Sequence, residues 1–318
     1  MKHLAWIYFA VFLFCGSLLQ AQQEEQYTMF MLNKLDFNPA YAGVDAPLTI
    51  NAMARSQWIG FEGAPSTQKI NSDFTLSQER VGMGFSLYHT QIGISNKIRF
   101  TGNYAYRIQI NEAYLGFGIN ASVKYQNINY RDKRLFSSTD ISMDSSIPTE
   151  VESSFTPNFG VGFYYKSNKF YLGASLPNML SIHQVKVGDQ RIPIENHHYY
   201  LMTGYHLQPN NFLLITPQLL LKYVVGAPFD AEFNLMTTYD DKYKIGLGYR
   251  LGGNIIKGYG ESFSIMTGLP ITKVLFFGLS YDMTLSNLQT YNNGSLEAII
   301  QYRISKNNAS ISINPRYL

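Results

Sequence analysis

Few residues of this 318-residue chain have the types and spacing that catalysis or metal binding requires. His197 and His198 are adjacent, but neighbours on a strand point to opposite faces, so they form a poor pair of metal ligands. Asp240 and Asp241 could hold calcium, yet they occupy a predicted hairpin turn, where Asp is common. No Ser/His/Asp set or nucleophile motif stands out in the sequence. We therefore expect a protein that is not an enzyme and uses no metal or cofactor.

Glycines recur at a spacing of two residues in four segments. The pairs are Gly82 and Gly84, Gly116 and Gly118, Gly160 and Gly162, and Gly246 and Gly248. On a strand, this spacing places both glycines of a pair on one face. Either another part of the protein approaches that face closely, or the sheet bends there. Local bending is the simpler explanation and the one that we expect.

Charged residues in the alternating segments mostly share the polar phase of the pattern, and both signs occur. They are Arg55, Lys69, Asp73, Arg99, Arg107, Lys124, Asp230, Glu232, Lys244, Arg250, Glu297 and Arg303. Such residues are costly on a lipid-facing surface but can pair across strands inside a barrel. We expect a structural network of charges in a lumen rather than a selectivity filter of one sign.

The segments that position these residues alternate between apolar and polar residues with period two. In Lys97 to Ile110, for example, Ile98 and Phe100 share one face while Arg99 and Thr101 share the other. Period two predicts pleated strands rather than helices. We predict fourteen strands, near residues 47–58, 67–77, 80–92, 95–110, 113–127, 155–166, 169–177, 196–207, 212–225, 228–240, 242–253, 259–269, 273–284 and 294–306.

The lengths of the predicted connections alternate as well. Connections after even-numbered strands are short, whereas the long ones, at 128–154, 178–195, 254–258 and 285–293, all follow odd-numbered strands. Outer-membrane barrels have short periplasmic turns and longer outer loops. We therefore predict an all-β fold, a transmembrane antiparallel outer-membrane β-barrel of about 14 strands, over the alternative of a soluble β-sandwich.

Composition limits the remaining classes of protein. Only 15% of residues are charged, 15% are aromatic, and the formal net charge is +3 without a basic cluster, so we expect no nucleic-acid partner. A basic start, an apolar run from Leu4 to Leu19 and a small residue at Ala21 predict a signal peptide. The predicted organisation is a signal peptide at 1–21, an N-terminal periplasmic segment at 22–46, a transmembrane β-barrel at 47–306 and a C-terminal extension at 307–318. The predicted location is the cell outer membrane.

Two blocks near the N-terminus carry a family resemblance. The first is Asn38-Pro39-Ala40-Tyr41-Ala42-Gly43, and the second runs from Arg55 to Thr67 with the letters RSQWIGFEGAPST. Together they resemble the PorP/SprF family, outer-membrane proteins of the type IX secretion system in Bacteroidota. The residues that we single out, for folding or partner contact, are Asn38, Pro39, Ala40, Tyr41, Gly43, Arg55, Gln57, Trp58, Gly60, Gly63 and Pro65.

The resemblance implies a non-enzymatic role in protein secretion. Such proteins partner, export or anchor secreted cargo at the cell surface through the cargo's C-terminal signal domain, including adhesins used in gliding motility. They are also linked to periplasmic components of the secretion machinery. The best candidate for a cargo-docking loop is 128–154, which is long and of mixed charge, and 178–195 is second. The charged residues of the first loop are Arg131, Asp132, Lys133, Arg134, Asp140, Asp144, Glu150 and Glu152.

A channel remains an alternative on the sequence alone. Fourteen strands can enclose a water-filled lumen, and a polar inner face suits an outer-membrane porin or uptake channel. An outer-membrane lipid enzyme is the weaker alternative, because it needs an activated nucleophile or base that the sequence does not offer.

Overall fold

The computed structural model describes residues 26–76, 80–130, 132, 152–180, 183–187, 190–193, 196–224, 227–252 and 260–304. The predicted signal peptide and C-terminal extension lie outside the described residues. The strands are β1 Leu48–Ser56, β2 Ser66–Leu76, β3 Val81–Ile92, β4 Ser95–Ile110, β5 Ala113–Ile128, β6 Glu152–Lys166, β7 Phe170–Leu176, β8 His183–Val187, β9 Gln190–Pro193, β10 His198–Tyr205, β11 Leu207–Asn210, β12 Leu213–Val224, β13 Asp230–Tyr239, β14 Tyr243–Leu251, β15 Ser262–Pro270, β16 Leu275–Thr284 and β17 Ser295–Ile304.

These strands form a closed antiparallel barrel that the chain crosses fourteen times, as the sequence predicts. Each crossing pairs with the next, and β1 pairs with β17 to close the barrel. Strands β10 and β11 are one crossing interrupted at His206, since both pair with β12. The hairpin of β8 and β9 is not part of the wall, since these two strands pair only with each other.

The two ends of the barrel differ in their connections. At one end, called here the short-turn end, the links are 77–80, 111–112, 167–169, 211–212, 240–242 and 271–274. The longest links, 129–151, 177–197, 252–261 and 285–294, all lie at the opposite, long-loop end. At the turn after β13, Asp240 and Asp241 both have positive φ, and Lys242 donates to Asp240 at 2.5 Å. This aspartate pair therefore shapes a hairpin turn.

The two faces of the wall have opposite character. Apolar side chains of the predicted outward phase are exposed, for example Ile70 at 58% and Ile245 at 64%, whereas Asn234 and Glu297 face inward and are fully buried. An apolar exterior and a polar interior suit a barrel that stands in a membrane, because closure leaves no unpaired strand edge in lipid. Among the described residues, no helix has the length and apolar character to cross a bilayer.

Residues Gln26–Pro47, which we call the plug, lie inside the barrel. Three short 3₁₀ turns, Phe30–Leu32, Lys34–Asp36 and Pro39–Tyr41, fold this segment compactly. The Phe37 ring packs edge-on against the rings of Phe30 and Tyr200, with centroids 6.2 and 5.3 Å apart. Plug side chains and inward wall residues together form the buried hydrophobic cluster of the protein.

The position of the plug differs from the sequence expectation. We expected residues 22–46 to form an N-terminal periplasmic segment, but the described part, from residue 26, lies within the lumen. The physical reason is burial: Tyr27, Phe30 and Phe37 remove apolar area from water against the inner wall, and at roughly 25 cal/mol per Å² such burial stabilises this position.

Candidate functional site

The first attachment of the plug lies at the seam between β1 and β17. Arg55 of β1 forms ion pairs with Asp282 of β16 at 2.7 Å and with Glu297 of β17 at 3.0 Å. Plug residue Thr28 donates its hydroxyl to Asp282 at 2.7 Å and its backbone N–H to Glu297 at 2.8 Å. The Met29 N–H donates to the other oxygen of Glu297 at 2.9 Å. Buried charges are tolerated only when paired and hydrogen-bonded in this way.

A second ion pair holds the middle of the plug. Lys69 of β2 pairs with Asp36, and both side chains are buried. The Tyr88 hydroxyl donates to Asp36 at 2.7 Å, and the Lys69 ammonium lies 5.1 Å from the centroids of the Tyr27 and Tyr88 rings. The buried Lys69 ammonium is therefore stabilised both by the Asp36 carboxylate and by cation–π contact with the two tyrosine rings.

The end of the plug is fixed through the backbone of Gly43, which has a φ of +68° that favours glycine. Its N–H donates to Asp73 at 3.1 Å, and its carbonyl accepts from the Thr75 hydroxyl at 2.8 Å and from Arg107. Nearby, the Tyr41 hydroxyl donates to Asp45. Burial raises the pKa of the Tyr41 phenol well above its usual value, so this donor stays neutral.

The first family block, around Asn38, contacts the wall directly. The Asn38 side chain caps the following 3₁₀ turn by accepting from the Ala40 N–H at 2.9 Å. Its amide nitrogen donates to the carbonyl of Phe163 in β6 at 2.7 Å. Asn38 and Ala40 are fully buried. One short side chain therefore fixes both the local turn and its place on the wall.

Five of the six glycines in the first three pairs face the plug. A Cβ at Gly118 would overlap the backbone of Pro39 and Ala40, and one at Gly82 would overlap the backbone of Ala42. A Cβ at Gly162 would overlap the Asn38 side chain, whereas one at Gly160 would overlap the backbone of Pro177, which follows β7. Close approach by the plug, rather than the local bending that we expected, explains Gly82, Gly118 and Gly162. The fourth pair, Gly246 and Gly248, instead faces side chains of the neighbouring strands, Met236, Asn234 and Ser264 among them.

The N-terminal end of the plug reaches β14. Arg250, fully buried, bonds Glu232 at 3.1 Å and donates to the Gln26 side chain at 3.3 Å and to the Tyr27 carbonyl at 3.4 Å. Many of the charged residues predicted to face the lumen do so, and Arg55, Lys69, Arg107 and Arg250 contact the plug. They serve as attachments rather than lining a pore.

The second family block forms the first loop at the long-loop end. Trp58, Gly60 and Gly63 have φ values of 50°, 91° and 73°. The Ile59 N–H donates to the Gly294 carbonyl at 2.8 Å, and the Gly63 carbonyl accepts from Gly93 at 2.8 Å. The block therefore ties three loops together. Gln57 and Pro65 close its base, with the Gln57 N–H donating to the Pro65 carbonyl at 2.9 Å.

The candidate cargo-docking residues lie mostly outside the described part of the chain. Arg131, Lys133, Arg134, Asp140, Asp144 and Glu150 are outside the described residues. The Asp132 N–H donates to the Asn129 carbonyl at 3.2 Å, and Glu152 begins β6.

The sequence prediction missed several attachment residues, among them Asp282, Thr28 and Asp36. Asp282 sits between the outward-facing Tyr281 and Met283, so the alternation of β16 already places it inside. Thr28 and Asp36 lie in an aperiodic segment and carry no such signal. Within the described residues, no group of three His, Cys, Asp or Glu side chains is placed to hold a metal ion. The arrangement can hold a folded segment rigidly in a lumen.

The comparisons agree with this architecture. The model of a family described as "Type IX secretion system membrane protein PorP/SprF" matches residues 19–302. None of the curated proteins matches the sequence. The toluene transporter TbuX of Ralstonia pickettii is similar with a TM-score of 0.51 and 12% identity, over 85% of this chain and 93% of TbuX. A deltaS2S3 mutant of the monoaromatic hydrocarbon channel TodX gives 0.51 and 11%, over 84% and 93%. At these identities the two structures support the fold alone.

Proposed function

Because this outer-membrane β-barrel belongs to the PorP/SprF family of type IX secretion system membrane proteins, we propose that it is a non-enzymatic component that partners secreted cargo or adhesin. In this proposal it assists export of the cargo, or anchors it at the cell surface, through the cargo's C-terminal signal domain. Periplasmic components of the machinery contact its short-turn end, since short turns face the periplasm in such barrels. A role in gliding motility would follow where the cargo is a gliding adhesin.

The observation that carries this proposal is the filled lumen. Buried charges hold the plug at two places. Lys69 of β2 pairs with plug residue Asp36. At the seam, Asp282 and Glu297, both paired with Arg55, accept hydrogen bonds from Thr28 and Met29. Removing one partner of a buried pair costs about 3–5 kcal/mol, so these attachments resist displacement of the plug. A barrel whose interior is occupied by its own chain suits a rigid membrane platform that acts through its ends.

The long-loop end offers a raised platform for a partner. Strands β4, β5 and β6 have 16, 16 and 15 residues, whereas a membrane strand needs about 9–11. Strand β6 pairs with β7 only from Val161 to Lys166, so its first residues extend beyond β7 at this end. The loop 129–151 joins the tips of β5 and β6. Because the long strands β5 and β6 raise this loop above the membrane, we favour it as the cargo-docking loop.

Affinity purification from cells that make the cargo tests the proposal. The tagged barrel is extracted in mild detergent, and co-purifying proteins are identified by mass spectrometry. We expect a secreted protein bearing the C-terminal signal domain, bound by the full chain but lost when residues 133–150 are replaced by a short Gly/Ser linker. The matched control replaces 253–259, a second segment at the long-loop end. If the variant lacking 133–150 still binds cargo, the docking site lies elsewhere on the barrel. If the full chain binds no cargo, the partner role is refuted.

The channel alternative has a separate test. Planar-bilayer conductance of the full chain should stay at the background level, since the plug occupies the lumen. A large, steady conductance of the full chain would favour a porin or uptake channel over the platform.

A further inference from the structure

A cavity of about 320 Å³ lies at the short-turn end, between the plug and the wall around β12 to β14. Lys34 and Tyr41 of the plug line one side, and Tyr171, Gln218, Thr238 and Lys244 line the wall side. Its mouth carries side chains that reach water: Asp45 and Lys166 are each 30% exposed, and Arg303 is 43% exposed. The volume is at the lower limit of typical small-ligand pockets, about 300–1,000 Å³.

The charges of this cavity do not cancel. Lys34, Lys166, Lys244 and Arg303 supply four cations, against the two carboxylates of Asp45 and Asp73. Asp45 is already bound by Lys166 at 3.0 Å and by Arg303 at 3.7 Å, and Asp73 accepts from Gly43. Within the described residues, Lys34 and Lys244 form no ion pair. Two ammonium groups are therefore left facing one cavity.

Lys34 is the better placed of the two. Only 9% of this residue is exposed, and its ammonium lies 3.9 Å from the Tyr171 ring centroid and 5.4 Å from that of Tyr41. The two rings stabilise the cation without neutralising it. Asp45 attracts Lys34 from beyond ion-pair distance. A buried ammonium without a direct ion pair is costly, and an anion in the cavity would offset that cost. Burial lowers the pKa of Lys34 to about 8, so the side chain is still mostly protonated at pH 7.

We propose that this cavity binds one anionic group, a carboxylate or phosphate, which enters from the short-turn mouth and lies between Lys34 and Lys244. Hydroxyl and amide groups of Thr238 and Gln218 offer further donors on the wall side. The group belongs either to a free small anion or to the C-terminus of a polypeptide, since both present the same chemistry. This site is separate from the proposed cargo docking, which takes place at the opposite end.

Calorimetric titration of the purified full chain in detergent tests the site. The probes are inorganic phosphate and citrate at pH 7 and low salt. We expect binding that weakens about tenfold or more in Lys34→Met and in Lys244→Met, because each variant removes one charged hydrogen-bond donor to the anion. Lys244→Met alters the wall and leaves the plug sequence intact, so it remains informative if Lys34→Met disturbs the plug.

Lys242→Met is the matched control. Lys242 lies two residues from Lys244 at the same end of the barrel, is exposed, and pairs with Asp240 outside the cavity. Its loss should leave the affinity unchanged. Equal affinities in all three variants and the original chain would overturn the proposal, as would the absence of binding by every probe at millimolar concentration.

A second set of probes separates the two sources of the anion. A short peptide with a free C-terminal carboxylate is compared with the same peptide carrying a C-terminal amide. Lysine-dependent binding of the free-acid peptide alone assigns the site to a polypeptide terminus. Lysine-dependent binding of phosphate or citrate without the peptide assigns it to a free anion. Either pattern supports the cavity as an anion site.

Discussion

Replacing Gly118 by alanine should displace the plug from the wall more often. Gly118 lies on the inner face of β5, and a Cβ there would overlap the backbone of Pro39 and Ala40. Because the overlapping atoms belong to the backbone, no side-chain rotation relieves the clash. The matched control is Gly102→Ala in the neighbouring strand β4, where the nearest atoms are those of the Phe85 ring at 3.8 and 3.9 Å.

The size of the effect follows from the geometry. Overpacking of a tight site costs about 1–3 kcal/mol. Each substitution also restricts the unfolded chain, which raises the free energy of unfolding of the whole barrel by about 0.4–1 kcal/mol. Because this contribution is the same in the two variants, it cancels when they are compared. The difference in plug displacement between Gly118→Ala and Gly102→Ala is therefore about 1–3 kcal/mol. This corresponds to an increase of about 5- to 150-fold in the displaced population.

Thiol labelling measures that population. The only cysteine of the chain, Cys15, lies in the predicted signal peptide, so Met29→Cys introduces a unique thiol into the exported protein. Met29 is 2% exposed in the plug, so its thiol reacts with a maleimide only after local opening. The labelling rate of Gly118→Ala should therefore be about 5- to 150-fold higher than that of Gly102→Ala. Heat-modified gel mobility verifies that both barrels are folded.

Equal labelling rates in the two folded variants would refute the reasoning. Such a result would mean that the plug does not rest against Gly118, and that the inward glycines have another cause. A parallel loss of barrel assembly in both variants would instead indicate that β4 and β5 tolerate no added methyl group.

Three further predictions follow from the plug and its cavity. Arg55→Met should lower the free energy of unfolding in urea by about 3–5 kcal/mol, because Asp282 and Glu297 lose their buried cation; a loss within 1 kcal/mol, in the range of exposed pairs, would contradict this. Removal of residues 26–46 should give a folded barrel that conducts in planar bilayers, and a silent barrel would show that the wall itself closes the lumen. Phosphate affinity should fall as pH rises through about 8, because Lys34 loses its proton there; Lys34→Met should flatten that pH profile.

The wall of the barrel was predictable from local sequence. Alternation with period two is imposed by the pleat, so each strand could be recognised without knowledge of its partners. The count of fourteen crossings and the short turns agree with the structure. Several boundaries moved by up to three residues. Strand β6 begins at Glu152 rather than at 155, and β15 begins at Ser262 rather than at 259. The crossing expected to end at residue 207 continues as β11 to Asn210, after an interruption at His206.

The plug was not predictable in the same way. Its 3₁₀ turns are too short to show a period, and its partners are distant, since Thr28 and Glu297 are 269 residues apart in sequence. The available signal was indirect and lay in the wall, in the paired glycines and in Arg55 and its inward neighbours. These residues show that something fills the lumen, but not which segment. In the structure, the first family block packs against the inner wall of the barrel, a contact that could not be predicted from the sequence alone.

The seam between β1 and β17 has a consequence for how the protein assembles. Glu297 binds both Arg55 and the backbone of residues 28 and 29, so the first and last parts of the barrel meet at one carboxylate. Loop-closure entropy makes contacts of such sequence separation slow to form. The plug therefore cannot reach its final attachment until β17 arrives, and Arg55 lacks its partners until then. We therefore expect closure of the wall and docking of the plug to occur together in one late step of folding. In that step β1 pairs with β17, and the plug contacts both strands.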